Sequence, residues 1–302
     1  MKLEELKEKQ KWSLDKKIEY SLQKISTFYD FFDGKVYVSF SGGKDSTVLL
    51  HLVRSLYPEV PGVFVDTGLE YPEVRDFVKT KENIIWLKPK KTFLEIIQKY
   101  GYPVISKEQS YFIEKYRNAK SDRVRNSFLN GRGNKGSSRF KIAKKWAYLV
   151  NAPFKISNKC CFYMKKQPIK KFEKKTGLKP YIGTMATESF NRQRLYLQYG
   201  CLNFSKVGNE NCTPLGFWTE QDIWDYIKLK NIEYSNIYDL GVDRTGCIYC
   251  MFGAHKEEKS RFIYLKKYHP KLFDYCMNKL GLKKVLEYLH IQVLDQNSLE
   301  DY

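Results

Sequence analysis

The chain has 302 residues, 53 Lys or Arg against 34 Asp or Glu, a formal charge of +19, and 42% apolar residues. That apolar share marks a globular chain rather than a disordered one, long enough for one large elaborated domain or two domains. No apolar run approaches the roughly 18 residues of a membrane-spanning helix. The opening MKLEELKEKQKW alternates in charge and lacks an apolar core segment, unlike a secretory signal, so a cytoplasmic location without a membrane partner is expected.

Residues 1–32 read as an N-terminal helix, with Leu3, Leu6, Trp12, Leu14, Ile18, Leu22, Ile25 and Phe28 at roughly helical spacing. KVYVSF then predicts a buried strand, DSTVLLHLVRSLY a helix, PGVFVDTG a second strand and YPEVRDFVKT a second helix. NIIWLKP and KTFLEIIQKYG repeat the alternation, and PYIGTM supplies a later strand. Strand and helix alternating at short spacing imply an α/β fold, a parallel sheet covered by helices on both faces. After Tyr102 the periodicity lapses: RNSFLNGRGNKGSSRF reads as a mobile basic loop, followed by a helix near 140–150. In TEQDIWDYIKLKN, Thr219 is placed to cap a helix with Asp222 three residues on, and the last fifty residues read as helical. The expected organisation is an N-terminal helix (1–32), a sheet-bearing domain (33–200) with a basic insertion near 104–160, and a C-terminal helical region (201–302).

The charge is concentrated. From Val104 to Pro180 there are 21 Lys or Arg against 4 Asp or Glu, a net +17, interleaved with Tyr111, Tyr116, Phe128, Phe140, Trp146 and Tyr148. A solvated basic face accounts for most charge runs, but this density with aromatic residues favours a polyanion, and nucleic acid is the expected partner of 104–180. Arg132, Lys135 and Arg139 are the expected mobile contacts, ordering on binding.

Ser41-Gly42-Gly43-Lys44-Asp45-Ser46 falls between a predicted strand and a predicted helix. A helix start there presents free N–H groups and the positive helix end to an anion. Gly42 and Gly43 permit close approach of phosphate, Lys44 adds charge, and Ser39, Ser41 and Ser46 add hydroxyl donors. Asp45 suits a cap or a Mg²⁺ ligand. The loop is too short for the usual mononucleotide motif, which needs four residues between its Gly and its Gly-Lys-Ser/Thr.

These six residues resemble the pyrophosphate-binding loop of the N-type ATP pyrophosphatases. VFVDTGLEYPEVRDFV, GTMATESFNR and PLGFWTEQDIWDYI resemble, in order, further signatures of the phosphoadenosine phosphosulfate reductase branch of that group. The resemblance runs from Val36 to Cys250. It implies an adenine nucleotide α-hydrolase-like fold and ATP with Mg²⁺ held by Ser39, Ser41–Ser46, Asp66, Thr67, Gly183 and Glu188, with adenine near the Asp66 strand. It also implies attack at the α-phosphate, with Lys44, Asp45 and Arg192 serving the chemistry. Arg192 and Arg194 suit a phosphate clamp or, equally, surface ion pairs. Met185 stands where the family usually has an arginine.

Seven cysteines without an export signal argue against a disulfide framework. Cys160-Cys161 and Cys247-x-x-Cys250, 85 residues apart, supply four thiolates, enough for one closed site. The spacing resembles the [4Fe–4S] motif of adenylyl-sulfate reductases and of related DNA-phosphorothioation proteins; structural zinc and no metal remain alternatives. Cys201, Cys212 and Cys276 are expected in packing, and His255 at a cap or the surface. The reductases carry a nucleophilic cysteine in a C-terminal tail, whereas this chain has none after Cys276. The expected function is therefore an ATP pyrophosphatase with a cluster, acting in adenylation-dependent sulfur transfer to, or related modification of, a nucleic acid, with a sulfur donor such as a cysteine desulfurase. The alternatives are sulfonucleotide reduction and nucleotide sensing without turnover.

Overall fold

A computed structural model of the chain describes residues 2–131, 140–204, 209–257, 260–291 and 293; Arg132, Lys135 and Arg139 lie outside the described residues. The chain divides into two compact units, Met1–Lys88 with Pro168–Thr245 and Pro89–Gln167 with Gly246–Tyr302. Each is built from two separated stretches, where a reading in chain order yields successive regions.

The first unit holds a six-stranded sheet. Its spatial order is Ile84–Leu87, Gly62–Val65, Val36–Ser39, Lys179–Ile182, Asn211–Cys212, Leu202–Asn203. All neighbours are parallel except the last two strands, which are antiparallel. Side chains alternate along a strand, so Val36 and Val38 face one side and Tyr37 the other. Val36 and Val38 join a core that includes Ile25 and Phe28 of the helix Leu14–Phe31 and Leu49 and Val53 of Lys44–Leu56. Tyr37 packs edge-on against Phe172 of the helix Gln167–Thr176 and donates to Glu173 at 2.9 Å. Both faces of the central strand are thus covered, as the alternation predicts. The strand order reverses beside Val36–Ser39: the chain first builds outward through Gly62–Val65 and Ile84–Leu87, then returns to place Lys179–Ile182 on the other side. In open α/β sheets ligands bind beyond the carboxyl ends of the strands at such a reversal.

The expected N-terminal helix is two helices, Leu3–Gln10 and Leu14–Phe31. Between them Ser13 turns outward and its hydroxyl accepts from the Lys16 amide, a cap that apolar spacing does not reveal. The break is held by Lys17, whose ammonium donates to Gln10 O at 2.7 Å and to both Asp222 oxygens at 2.7 and 2.8 Å. Asp222 completes the predicted cap with Thr219 at the start of Glu220–Lys230.

In the second unit, Val104–Ile105 pairs in parallel with Met251–Phe252. The helices Phe93–Tyr100, Lys107–Arg117 and Asp122–Asn130 precede the pairing partner, and Arg261–Tyr268, Pro270–Asp274 and Leu282–Tyr288 follow it. Arg117 donates to the carbonyls of Leu149, Val150, Ala152 and Phe154, so this member of the basic region anchors a loop. The helix expected near 140–150 is a run of tighter 3₁₀ turns, Lys144–Asn151. Phe162–Lys166 forms a π turn, in which the Gln167 amide reaches back five residues to Phe162 O. Pro168 follows it and has no amide to donate, which favours a widened turn there. Among the described residues no helix is long and apolar enough to cross a membrane.

Candidate active site

The central strand ends at Ser39, half-buried and in register with Val63 and Ile182. Two residues on, the chain turns into the helix Lys44–Leu56. Gly42 has φ +75°, and a Cβ there would meet Val74 and Val78 side-chain atoms at 2.8 and 2.6 Å, so both conformation and space require glycine. Ser46 fastens the loop: its hydroxyl donates to Gly43 O at 2.9 Å, accepts from the Ser41 amide at 3.1 Å and lies 3.0 Å from the Ser41 hydroxyl. The turn is thereby held before any ligand arrives.

Lys44 is buried at the first turn, its ammonium 3.1 Å from Glu220 Oε1 and 5.1 Å from the centre of the Tyr238 ring. Burial opposes its charge, but Asp45 and the hydrogen bond to Glu220 outweigh it and raise its pKa. Burial lifts the Asp45 carboxyl above the usual carboxylate range, against the pull of Lys44, Arg192 and Arg244. Asp45 Oδ1 is buried with no hydrogen-bond partner. A lone anionic oxygen beside a phosphate loop fits Mg²⁺, which takes one or two carboxylates and completes its shell from phosphate and water.

Gly183 follows the strand Lys179–Ile182, and a Cβ there would stand 3.1 Å from Asp45 O, so its bareness lets this strand end close against the loop. Glu188 accepts from the Met185 amide at 2.8 Å and pairs with Arg192 one helical turn later. The Arg192 pKa is pulled down by burial and by Arg244, with Asp45 acting the other way, which places it between a surface ion pair and the loop. Arg194 is exposed on the same helix, Phe190–Tyr199, and Met185 is buried in the core. At the neighbouring strand end, Asp66 is buried and bonded to Arg75 at 2.8 Å, while the Thr67 amide and hydroxyl both donate to Glu70. Those side chains fix their own turn.

Four residues of this site were not singled out from the sequence: Glu220, Tyr238, Arg244 and Thr245. Tyr238 Oη accepts from the Lys44 amide at 2.8 Å, and a Cβ on Gly43 would meet Thr245 Oγ1 at 2.6 Å. Glu220 lies on the predicted helix Glu220–Lys230 without a signal of its own, and the segment carrying the other three has no periodicity to flag it; the one available signal was an Arg-Thr-Gly run just before Cys247.

All four predicted cysteine ligands lie in the second unit. The Cys160 and Cys161 sulfurs are 3.9 Å apart, and Cys247 O accepts from the Cys250 amide in a tight turn. The two segments converge closely enough for their charges to interact. Hydrogen bonding to Cys161 raises the Cys160 thiol, as do burial and the charges of Cys161, Cys250 and Cys247. Burial and Cys247 push Cys250 up to about 11, with Cys161 adding to the rise. Cys161 is drawn down to about 6 by the Cys160 hydrogen bond, against burial, with help from Lys107, Lys165 and Lys166. Among the described residues no three His, Cys, Asp or Glu close around a single metal ion. The donor set, four thiols attended by lysines, fits a thiolate-ligated group of net negative charge. Cys201, Cys212 and Cys276 are buried packing residues, as expected. His255 sits in the turn Ala254–Lys256, edge-on to Trp146 at 5.0 Å, with a buried Nδ1 that has no partner.

Fold and loop define an α/β protein of the pyrophosphate-loop type. The family model described as phosphoadenosine phosphosulfate reductase domain matches residues 35–120 and 107–252, and the chain belongs to that family. It is 28% identical over 283 residues to an uncharacterized protein of Methanocaldococcus jannaschii, covering 90% of this chain and 55% of that protein. The chain thus spans about half the length of that relative. It is also 24% identical over 258 residues to adenosine 5'-phosphosulfate reductase of Anoxybacillus flavithermus, covering 85% of this chain and 90% of that protein. Among solved structures, a phosphoadenylyl-sulfate reductase from Candida auris matches at TM-score 0.46 and 16% identity, over 82% of this chain and 96% of that one. The U34-tRNA thiolase of Methanococcus maripaludis with its [4Fe–4S] cluster matches at TM-score 0.42 and 14% identity, over 92% and 82%.

Proposed function

We propose that the chain is an ATP pyrophosphatase that adenylates an oxygen of a nucleic acid and delivers sulfur to the activated position. The loop carries this reading. A left-handed Gly42, a buried Lys44, a hydroxyl-fastened turn and an unpartnered Asp45 oxygen lie at the sheet's reversal point, with Arg192 and Arg244 close enough to act on Asp45. Such a site asks for positioning and charge stabilisation: the acceptor oxygen attacks the α-phosphorus, the bond to the bridging oxygen breaks, and pyrophosphate leaves against Lys44 and the loop amides; Mg²⁺ held by Asp45 would supply further positive charge there. Sulfur at the hydrosulfide level then displaces AMP, the C–S bond forming as the bond from carbon to the AMP oxygen breaks; a persulfide donor would need two further electrons from an added thiol to release its outer sulfur.

Cys160, Cys161, Cys247 and Cys250 are the residues that would hold a [4Fe–4S] cluster, or zinc in its place. A cluster would supply a site for binding the incoming sulfur. Because its ligands come from two segments, metal should also stabilise the second unit. Protein purified without oxygen should be brown and contain iron and acid-labile sulfide; stoichiometric zinc without sulfide would assign the structural site instead. A sulfur-donor protein such as a cysteine desulfurase is the partner this chemistry calls for, and the basic region 104–180 is the surface proposed for the acceptor.

Sulfonucleotide reduction is the second reading, favoured by relatives named adenosine 5'-phosphosulfate reductase that align over most of their length. Against it, the three cysteines outside the four-thiol group are buried with raised pKa values, which leaves them poor nucleophiles. Supplying the enzyme with ATP and bulk RNA, or with adenylyl sulfate and a dithiol, separates the readings. AMP and pyrophosphate from the first supports sulfur transfer, sulfite from the second supports reduction, and neither product leaves nucleotide sensing.

A further inference from the structure

The second unit carries an aromatic and basic surface beside its thiols. Tyr100 ends the helix Phe93–Tyr100, and Tyr163 lies in the π turn Phe162–Lys166. Their rings stack with centroids 4.9 Å apart and planes within 12°, and the Tyr100 hydroxyl donates to that of Tyr163 at 2.8 Å. Phe162 meets Tyr163 edge-on at 5.2 Å and is 43% exposed, high for a phenylalanine with rings at hand to bury it.

Lysines ring this ladder. The Lys91 ammonium stands 5.6 Å from the Tyr100 centroid and 5.2 Å from that of Tyr163, Lys99 stands 5.6 Å from Tyr100, and Lys159 stands 4.9 Å from it. Lys159 is also bound to Glu114 at 2.7 Å, so Lys91 and Lys99 carry more of the available charge. Residue 161, the cysteine whose thiol feels Lys107, Lys165 and Lys166, directly precedes Phe162 in the chain.

From this arrangement we infer that Phe162, Tyr163 and Tyr100 form a stacking platform for unpaired bases of a single-stranded nucleic acid, with Lys91 and Lys99 on its phosphates. The inference rests on the proposed nucleic-acid acceptor and names where it docks. Stacking with cationic contacts is how proteins hold single strands without reading sequence. A duplex keeps its bases paired and stacked, so it can use the lysines but not the rings. A purely structural tyrosine pair would need neither an exposed third ring nor lysines around it. The platform also follows directly on the cysteine pair, where an unpaired nucleotide would have to be presented for sulfur transfer.

The test uses the full chain, a fluorescent twelve-nucleotide oligo(U) and a twelve-base-pair RNA duplex, in equilibrium titrations at several salt concentrations. The double variant Tyr100→Leu with Tyr163→Leu should bind oligo(U) at least tenfold more weakly, with duplex binding within twofold of the wild type. The double variant to Phe keeps both rings and should bind as the wild type does. Should the Leu variant misfold, Phe162→Ala removes the exposed ring alone and should weaken oligo(U) several-fold. Equal losses for oligo(U) and duplex, a Phe variant as weak as the Leu variant, or wild-type binding of oligo(U) no tighter than about 10⁻⁴ M would each overturn the platform. Formation of AMP and pyrophosphate from ATP is scored in parallel. Its persistence alongside failed stacking refutes the platform alone, and its absence alongside intact stacking refutes the proposed reaction alone.

Discussion

On the proposed reading of the loop, Tyr238 sets the terms on which a nucleotide would enter it. Its phenol oxygen accepts from the Lys44 amide, one of the donors that a β- or γ-phosphate oxygen would use at this helix start. Binding must displace the phenol or share the amide with it. A typical hydrogen bond contributes about 0.5–1.5 kcal/mol net, so Tyr238→Phe should tighten ATP binding roughly two- to tenfold, read by calorimetric titration. Weaker binding by the Phe variant would show instead that the hydroxyl serves the bound nucleotide. The loop itself was legible from six consecutive residues, because glycine, lysine and hydroxyl requirements there are local. Tyr238 was not, since its contact spans 194 residues and depends on how a segment without periodicity comes to rest. Arg192 reads as either clamp or ion pair, and the structure gives it both kinds of neighbour: Glu188 in the turn Ala186–Glu188 just before its helix, Asp45 in the loop.

Helices and strands were predicted where apolar periodicity or capping chemistry was strong. Thr219 with Asp222 and the alternating strands of the sheet are the clearest cases. Elements were missed where a tertiary contact decides. The N-terminal segment keeps helical spacing throughout, yet breaks after Gln10 because Lys17 turns inward to bind Gln10 O and Asp222, 205 residues away. Lys17 is a fully buried lysine whose partner also caps a helix, so removing it strands a buried carboxylate. Lys17→Met should cost about 3–5 kcal/mol in chemical denaturation. Adding Asp222→Asn should return part of that loss, because no unpaired charge then remains. A loss below about 1 kcal/mol for the single variant would mean that the pair does not hold these helices. The π turn before Pro168 belongs to the same class: proline signals a disturbed helix, but not that the chain widens rather than breaks.

At the scale of the molecule, the sequence pattern gives a nucleotide sheet and a four-thiol group, and each unit holds one of them complete: the loop in the first, the cysteines in the second. The interleaving of the units was not legible, because chain order carries no signal of a stretch that leaves a sheet and returns 80 residues later. Charge density overstated the surface open to a polyanion, since Arg117 is committed to four carbonyls and Lys159 and Lys179 to carboxylates. The proposed reaction turns on attack at the α-phosphate of ATP. Exchange of labelled pyrophosphate into ATP, run with bulk RNA as acceptor, tests it most directly, because exchange requires a reversible adenylate. The wild-type chain should show RNA-dependent exchange, lost in the double variant Lys44→Ala with Ser46→Ala, which should remain folded. Absence of exchange by the wild type, or exchange undiminished in the double variant, would contradict the proposed reaction.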